Sequence, residues 1–167
     1  MNANLRPCVG CGARVPDVEG PTHRYLGASP GCWAIFGELT EKEYSDYRYA
    51  RVHQLTVDAY CVQHPGVPSP QTIQSVAVHL IGLHLQLERG LRPERVMAAK
   101  QKAASRKRDF VWLEPARSLG EITVPHVREA QDPIEHEERV REWARSAWEA
   151  WSPHHEKVRR WAPAGFS

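Results

Sequence analysis

Two cysteines near the start of the chain, Cys8 and Cys11, have the spacing of a pair of metal ligands. Two thiolates so close in sequence can face one ion only if the backbone between them turns sharply, and Gly10 and Gly12 permit that turn. Redox-active cysteine pairs share this spacing, but they lie between a strand and a helix. Because no strand-like sequence precedes Cys8, the motif favours a zinc site over a redox site.

A tetrahedral zinc site needs four ligands, so two more must come from elsewhere in the chain. Cys32 is the predicted third ligand, because it lies in the first turn of a predicted helix, where free N–H groups stabilise a thiolate. For the fourth we prefer His23, which would tie the N-terminal loop to that helix in a compact knuckle. His64 is the alternative, since an antiparallel second helix would end near the start of the first; Cys61 or water is a further one. Three cysteine ligands favour a structural over a catalytic zinc.

Polar side chains recur on one face of the second and of the third predicted helix. They are His53, Tyr60, His64, His79 and Gln86. If the two faces meet, two or three histidines converge in a buried pocket that could hold a second metal or carry out acid–base chemistry. The alternative is a hydrogen-bonded network that fixes the register of the helices. Asp58 lies about 140° from His53 around its helix, so we expect it to pair with a neighbour such as an arginine.

Residues 89–108 form a basic segment with eight basic residues and one acidic residue, a local charge of +7. A basic helix can contact phosphates, and the nearby Phe110 and Trp112 could stack on bases. An acidic stretch at residues 132–138 could instead neutralise the basic segment within the fold. We favour the second interpretation, which leaves nucleic acid as a possible but not preferred partner.

Dipeptides of serine or aspartate followed by proline predict where the helices begin. In each, a capping oxygen precedes a proline at the first helical position, where its missing N–H group has no cost. They are Ser29-Pro30, Ser69-Pro70, Asp132-Pro133 and Ser152-Pro153. Together with apolar periodicity they predict helices over residues 30–44, with a possible restart at Thr40, and over 47–64, 70–89, 93–107 and 132–161, the last broken near Ser152.

These elements predict a mainly α fold, a bundle of four to five helices with an N-terminal zinc knuckle and at most one short β-hairpin. The hairpin would fall within residues 109–131, which otherwise form an extended loop. We expect a single domain over residues 1–167. Its parts are a knuckle segment at 1–32, a helical core at 30–108, the extended or hairpin segment at 109–131 and the C-terminal helix at 132–161.

Composition is that of an ordinary globular protein, with 41% hydrophobic and 25% charged residues and a net charge of +2. No apolar run reaches the roughly 18 residues that a membrane span needs, so no membrane partner is predicted. The first six residues lack the apolar core of a secretory signal. We therefore expect a cytoplasmic protein whose four cysteines are thiols or metal ligands rather than disulfides.

Five motifs carry a resemblance to a known family. They are CVGCGA at residues 8–13, GPTHRY at 20–25, SPGCW at 29–33, VDAYCVQHPG at 57–66 and QSVAVHL at 74–80. With them the chain resembles an uncharacterised bacterial family that is catalogued only as a domain of unknown function. The resemblance implies a bacterial, cytoplasmic, single-domain protein, and it transfers no catalytic roles.

A looser similarity connects the LGEITV stretch at residues 119–124 and the histidine-bearing helices with DinB-like helical bundles. That resemblance implies a metal held by three bundle histidines and a hydrolase or thiol-dependent transferase activity. The chain departs from the pattern, because His79 and His84 are five residues apart and point about 140° away from each other.

Three functions follow from these patterns. The preferred one is a zinc-stabilised binding or accessory module whose histidine-lined pocket accepts a small molecule or a protein segment. The second is a metal-dependent enzyme that uses His53, His64 and His79. The third is a nucleic-acid-associated module that uses residues 89–108.

Overall fold

The computed structural model of the protein describes residues 4–166, so residues 1–3 and 167 of the expected domain lie outside the described part. In that part, two strands form an antiparallel hairpin: β1 (Leu5–Pro7) and β2 (Arg14–Pro16). Seven α-helices follow: α1 (Pro30–Ser45), α2 (His53–Gln63), α3 (Pro70–Leu87), α4 (Pro93–Ala104), α5 (Val124–Arg128), α6 (Pro133–Glu149) and α7 (His155–Trp161). The prediction of a mainly helical fold with one short hairpin is confirmed.

Three of the four proline-containing dipeptides mark the start of an α-helix, whereas Ser152-Pro153 begins a 3-10 turn before α7, and only two of the predicted caps form. The Ser69 hydroxyl accepts a hydrogen bond from the Thr72 N–H, and the Asp132 carboxylate accepts one from the Glu135 N–H. Ser29 precedes α1 without capping it, and its hydroxyl accepts a hydrogen bond from the Val9 N–H at 2.9 Å instead. The first helix is thereby connected to the loop of the cysteine motif.

The helix α1 continues through Thr40, where a restart was predicted. The Thr40 hydroxyl donates to the carbonyl groups of Phe36 and Gly37 in the preceding turn, so it bonds within the helix and does not cap a new one. A second boundary also differs, because α2 begins only at His53, after a short 3-10 turn at Ala50–Val52. The predicted break at Ser152 is confirmed by the end of α6 and the separate start of α7.

The core lies around α3, which packs against α2, α4, α6 and α7. Leu80, Ile81 and Leu83 of α3 are fully buried, as expected for a helix that is apolar almost all round. Two buried tryptophans connect the C-terminal part to α2. The Trp143 indole N–H donates to the Gln63 side chain at 2.8 Å, and the Trp151 indole N–H donates to the carbonyl of residue 62 at 3.1 Å.

The hairpin predicted as one alternative for residues 109–131 is absent from that segment, and the extended alternative holds for most of it. The physical reason is a buried side chain that replaces a partner strand. The Gln63 amide donates to the carbonyl groups of Leu119 and Ile122 at 3.0 and 2.8 Å. The chain then turns into the short helix α5.

A charged pair joins the end of α3 to α7. The Arg159 guanidinium donates to both carboxylate oxygens of Glu88, at 2.9 and 2.6 Å. This lowers the pKa of Glu88 from its usual 4.5 to about 2. Because that pKa is lower in the folded state, the pair adds stability that is complete above pH 4.5 and is lost as the pH falls through 2.

We therefore expect Glu88→Gln to lower the urea midpoint of unfolding at neutral pH, and the difference from wild type to shrink as the pH falls from 4.5 towards 2. Urea titrations at several pH values measure this. Glu121→Gln is the matched control, because Glu121 is exposed and forms no ion pair within residues 4–166. A difference for Glu88→Gln that stays constant over the whole range would contradict the assignment.

Candidate metal centre and buried polar clusters

Three parts of the chain meet at the cysteine motif. Cys8 and Cys11 lie in the loop between β1 and β2, Cys32 lies in the first turn of α1, and His64 follows the end of α2. The loop is closed by backbone hydrogen bonds between residues 8 and 13 and between 12 and 8. Gly12 adopts a positive φ of 75° in this turn, a conformation that favours glycine.

The four side chains form a group that could hold a metal ion. Their ligand atoms all lie within 4.8 Å of one another. The Cys11 and Cys32 sulfurs are 3.9 Å apart, and the His64 Nε2 atom lies 3.4 Å from the Cys32 sulfur and 3.7 Å from the Cys8 sulfur. Tetrahedral zinc with usual bond lengths requires about 3.8 Å between two sulfurs and about 3.6 Å between sulfur and nitrogen. The arrangement therefore fits one tetrahedral ion.

Surrounding groups hold the ligands in orientation. The His64 Nδ1–H group donates to the Tyr60 carbonyl at 2.7 Å, which leaves Nε2 free to bind a metal. The Tyr60 hydroxyl donates to the Cys32 sulfur at 3.6 Å, and the Tyr60 ring stacks on the His64 ring. The backbone N–H groups of Gly10 and Ser29 each donate to the Cys8 sulfur at 3.4 Å. Such donors stabilise a thiolate.

The close approach of the three thiols shifts the pKa values of Cys8 and Cys32 in opposite directions. Hydrogen bonds with Cys11 and Cys32 lower the pKa of Cys8, whereas interactions with Cys11 and Cys8 raise the pKa of Cys32. Like charges this close disfavour one another, and a bound divalent cation would relieve the repulsion.

A glycine makes room for the cluster. A Cβ atom at Gly10 would overlap the Gly27 carbonyl oxygen and the His64 ring. We expect Gly10→Ala to weaken metal binding and to destabilise the fold by about 1–3 kcal/mol, the usual effect of overpacking. Gly37→Ala is the control, because that α1 position has open space and should gain up to about 1 kcal/mol. Chelator competition and urea unfolding measure both variants, and equal behaviour of the two would contradict the prediction.

Of the two histidines considered for the fourth position, the structure brings His64, the alternative, to the three cysteines and not His23, the preferred one. His23 is turned elsewhere, because its Nδ1 atom accepts hydrogen bonds from the Tyr25 and Leu26 N–H groups, both at 3.2 Å. Its ring packs edge-on against Trp33. Cys61, the further alternative, is buried outside the group.

The setting of Cys8 differs from the prediction in one respect, because a short strand, β1, precedes it. The strand β2, rather than a helix, follows the motif, so the strand–helix setting of thioredoxin-like pairs is still missing.

The polar residues of α2 and α3 do not converge in one pocket. His64 and Tyr60 belong to the cysteine group, and the remaining two histidines lie in two other clusters. His53 contacts the fully buried Glu43 carboxylate at 3.0 Å. His136 of α6 contacts the same carboxylate at 2.8 Å. Burial raises the pKa of Glu43, but its hydrogen bonds to His136 and His53 outweigh burial and lower that pKa.

The third cluster is centred on Asp58, whose partner is a lysine and not an arginine as predicted. The Asp58 carboxylate is fully buried, 2.5 Å from the Lys100 ammonium group and 2.7 Å from His79 Nδ1. Gln86 and Gln54 also donate to it. Burial raises the pKa of Asp58, yet the charge of Lys100 and the contact with His79 more than compensate and lower it.

Opposing contacts act on His79 in this cluster. Burial and the charge of Lys100 lower the pKa of His79, but Cys61 and the Asp58 carboxylate raise it to about 9. The sequence offered a signal for this cluster in Gly82, one helical turn after His79 in α3. A side chain at Gly82 would overlap the Asp58 carboxylate, so the glycine leaves room for a buried charge.

Only part of the basic segment is exposed to solvent. Lys100 is buried against Asp58, and Phe110 is buried against Trp161, so neither is free to meet a nucleic acid. The acidic stretch at residues 132–138 does not neutralise the segment, because Glu135 and Glu137 pair with arginines one turn further along α6.

The fold and the site together define a mainly helical protein with a Cys3His group, placed for metal binding, between an N-terminal hairpin and the helices. The family model described as "Family of unknown function (DUF5946)" matches residues 6–152, and the chain belongs to that family. No curated protein and no solved structure matches the chain. Within residues 4–166, no helix combines the length and the apolar character needed to cross a membrane.

Proposed function

We propose that Cys8, Cys11, Cys32 and His64 bind one zinc ion as a structural site. The observation that carries this is the closed set of four protein ligands, three of them buried, around a single position. Structural zinc sites are closed and rich in cysteine, whereas catalytic sites keep one position for water or substrate. The ion would join the hairpin loop, α1 and the end of α2.

The protein itself is, in this proposal, a binding or accessory module in the bacterial cytoplasm, where a reducing environment keeps the cysteines available for the metal. The bundle histidines lie in three separate clusters, one each for His53, His64 and His79. This separation argues against one metal-dependent active site built from them. Burial of Lys100 and Phe110 argues against a nucleic-acid surface along residues 89–108. Metal and function are therefore separate: the zinc stabilises the fold, and the bundle presents the binding site.

Cobalt substitution tests whether the metal site is closed. Tetrahedral Co²⁺ with three thiolates and one imidazole absorbs visible light, and its spectrum responds to any added ligand that reaches the metal. For the wild type we expect the spectrum to stay unchanged when azide or imidazole is added. His64→Ala is the positive control, because the vacated position should let imidazole bind and restore a spectrum like that of wild type. A wild-type spectrum that changes with azide would indicate an open, catalytic position and contradict the proposal.

A further inference from the structure

A cavity of about 640 Å³ opens where the start of α2, the end of α3 and the start of α4 meet. Its size is in the range of small-molecule sites. Leu55 and Leu91, both buried, give it an apolar floor. It lies apart from the cysteine group, none of whose residues line it.

The wall of this cavity is positively charged. Arg51, Arg92 and Arg141 line it from three different elements, and Glu94 is its one acidic residue. Arg141 is already bound to Glu137, at 3.0 Å.

Two of these guanidinium groups have no partner. Arg51 and Arg92 form no ion pair and no side-chain hydrogen bond within residues 4–166, although other arginines of the fold do. Two unpaired guanidinium groups that line a cavity with buried leucines are suited to a carboxylate or phosphate, which they can bind through paired hydrogen bonds.

Gln86 adds a polar group to the lining of the cavity. It donates through its amide nitrogen to Asp58 at 2.8 Å and to the Gly82 carbonyl at 2.9 Å. Both bonds fix the amide, and its oxygen receives no hydrogen bond from residues 4–166. That oxygen can therefore accept a hydrogen bond from a ligand without any change in the buried charged cluster.

We propose that this cavity binds a small organic anion, with its carboxylate or phosphate on Arg51 and Arg92 and its apolar body over Leu55 and Leu91. The proposal names the ligand class of the binding role proposed above and rests on that role. It does not rest on the metal, so zinc content and ligand binding can succeed or fail separately.

The test is an NMR titration of the zinc-loaded full chain with phenyl phosphate and, separately, with inorganic phosphate at physiological salt. We expect saturable shifts of the Gln86 and Leu91 amides and tighter binding of phenyl phosphate, because only it can cover the apolar floor. Arg51→Gln with Arg92→Gln should weaken binding by roughly tenfold or more, since charge-assisted hydrogen bonds are the strong ones.

The matched control is Arg24→Gln with Arg117→Gln, which removes the same charge from exposed residues that do not line the cavity and form no ion pair or side-chain hydrogen bond within residues 4–166. It should change the affinity by less than roughly twofold, as expected for screened surface charges. Unsaturable shifts, equal weakening by both double variants, or equal affinity for the two phosphates would overturn the proposal. Zinc content of each variant, measured on the same samples, separates a failed ligand site from a lost metal site.

Discussion

Replacement of Cys11 by serine is expected to remove the bound zinc and to lower the free energy of unfolding by on the order of 5 kcal/mol or more. Zinc binding contributes about 10–16 kcal/mol in zinc-finger peptides, and a whole domain is stable by only about 5–15 kcal/mol. Cys11 is half-buried, so the change in packing is small and the effect comes from the metal. Urea unfolding with and without a chelator measures it.

Cys61→Ser is the control, because it makes the same substitution at a cysteine that lies outside the group. It should keep the zinc and respond to the chelator as the wild type does. If the chelator leaves the stability of the wild type unchanged, or if both serine variants lose equal stability, the metal does not support the fold in the way we propose.

Replacement of Asp58 by asparagine is expected to destabilise the fold by about 3–5 kcal/mol, the usual effect of leaving one buried charge without its partner. The carboxylate lies 2.5 Å from the Lys100 ammonium group, whose side chain is 9% exposed. The Asp58 carboxylate also lies 2.7 Å from His79 Nδ1. An amide would carry no compensating charge and would present N–H groups to donors. Because the pKa of Asp58 is lowered, its contribution should also fade as the pH falls below the usual value for aspartate.

Asp46→Asn is the control for this change, since Asp46 also pairs with a basic residue but at the surface. Exposed ion pairs contribute little, so its urea midpoint should stay close to that of the wild type. The double variant Asp58→Asn with Lys100→Met should be more stable than Asp58→Asn alone, because the Lys100 ammonium group is then no longer buried without its partner. An Asp58→Asn variant as stable as Asp46→Asn would show that the buried pair does not stabilise the fold as predicted.

Local chemistry made much of this fold predictable. The proline-containing dipeptides located the starts of α1, α3 and α6. The fixed φ of proline suits the first position of a helix, where its missing N–H group has no cost. Spacing and the predicted start of α1 indicated Cys8, Cys11 and Cys32, and the structure brings these three side chains together. The helix starts and the Cys8–Cys11 pair depend on neighbours within a few residues.

What the sequence did not decide was which distant side chains meet. His23 and His64 were both compatible with the fourth position, and the choice depends on a loop in which the His23 ring accepts two backbone N–H groups. Periodicity placed His53 and His79 on polar faces, but it does not say which helix faces which. The decisive partners, Glu43 and Lys100, lie on α1 and α4, outside the pair of helices that the pattern considered.

The most direct test of the account is the zinc content of the purified wild type, His64→Ala and His23→Ala by elemental analysis after dialysis against a chelator. We predict one zinc per chain in the wild type and in His23→Ala, and loss of zinc in His64→Ala, because only His64 lies with the three cysteines. Retention of zinc by His64→Ala together with its loss from His23→Ala would contradict the proposed metal site.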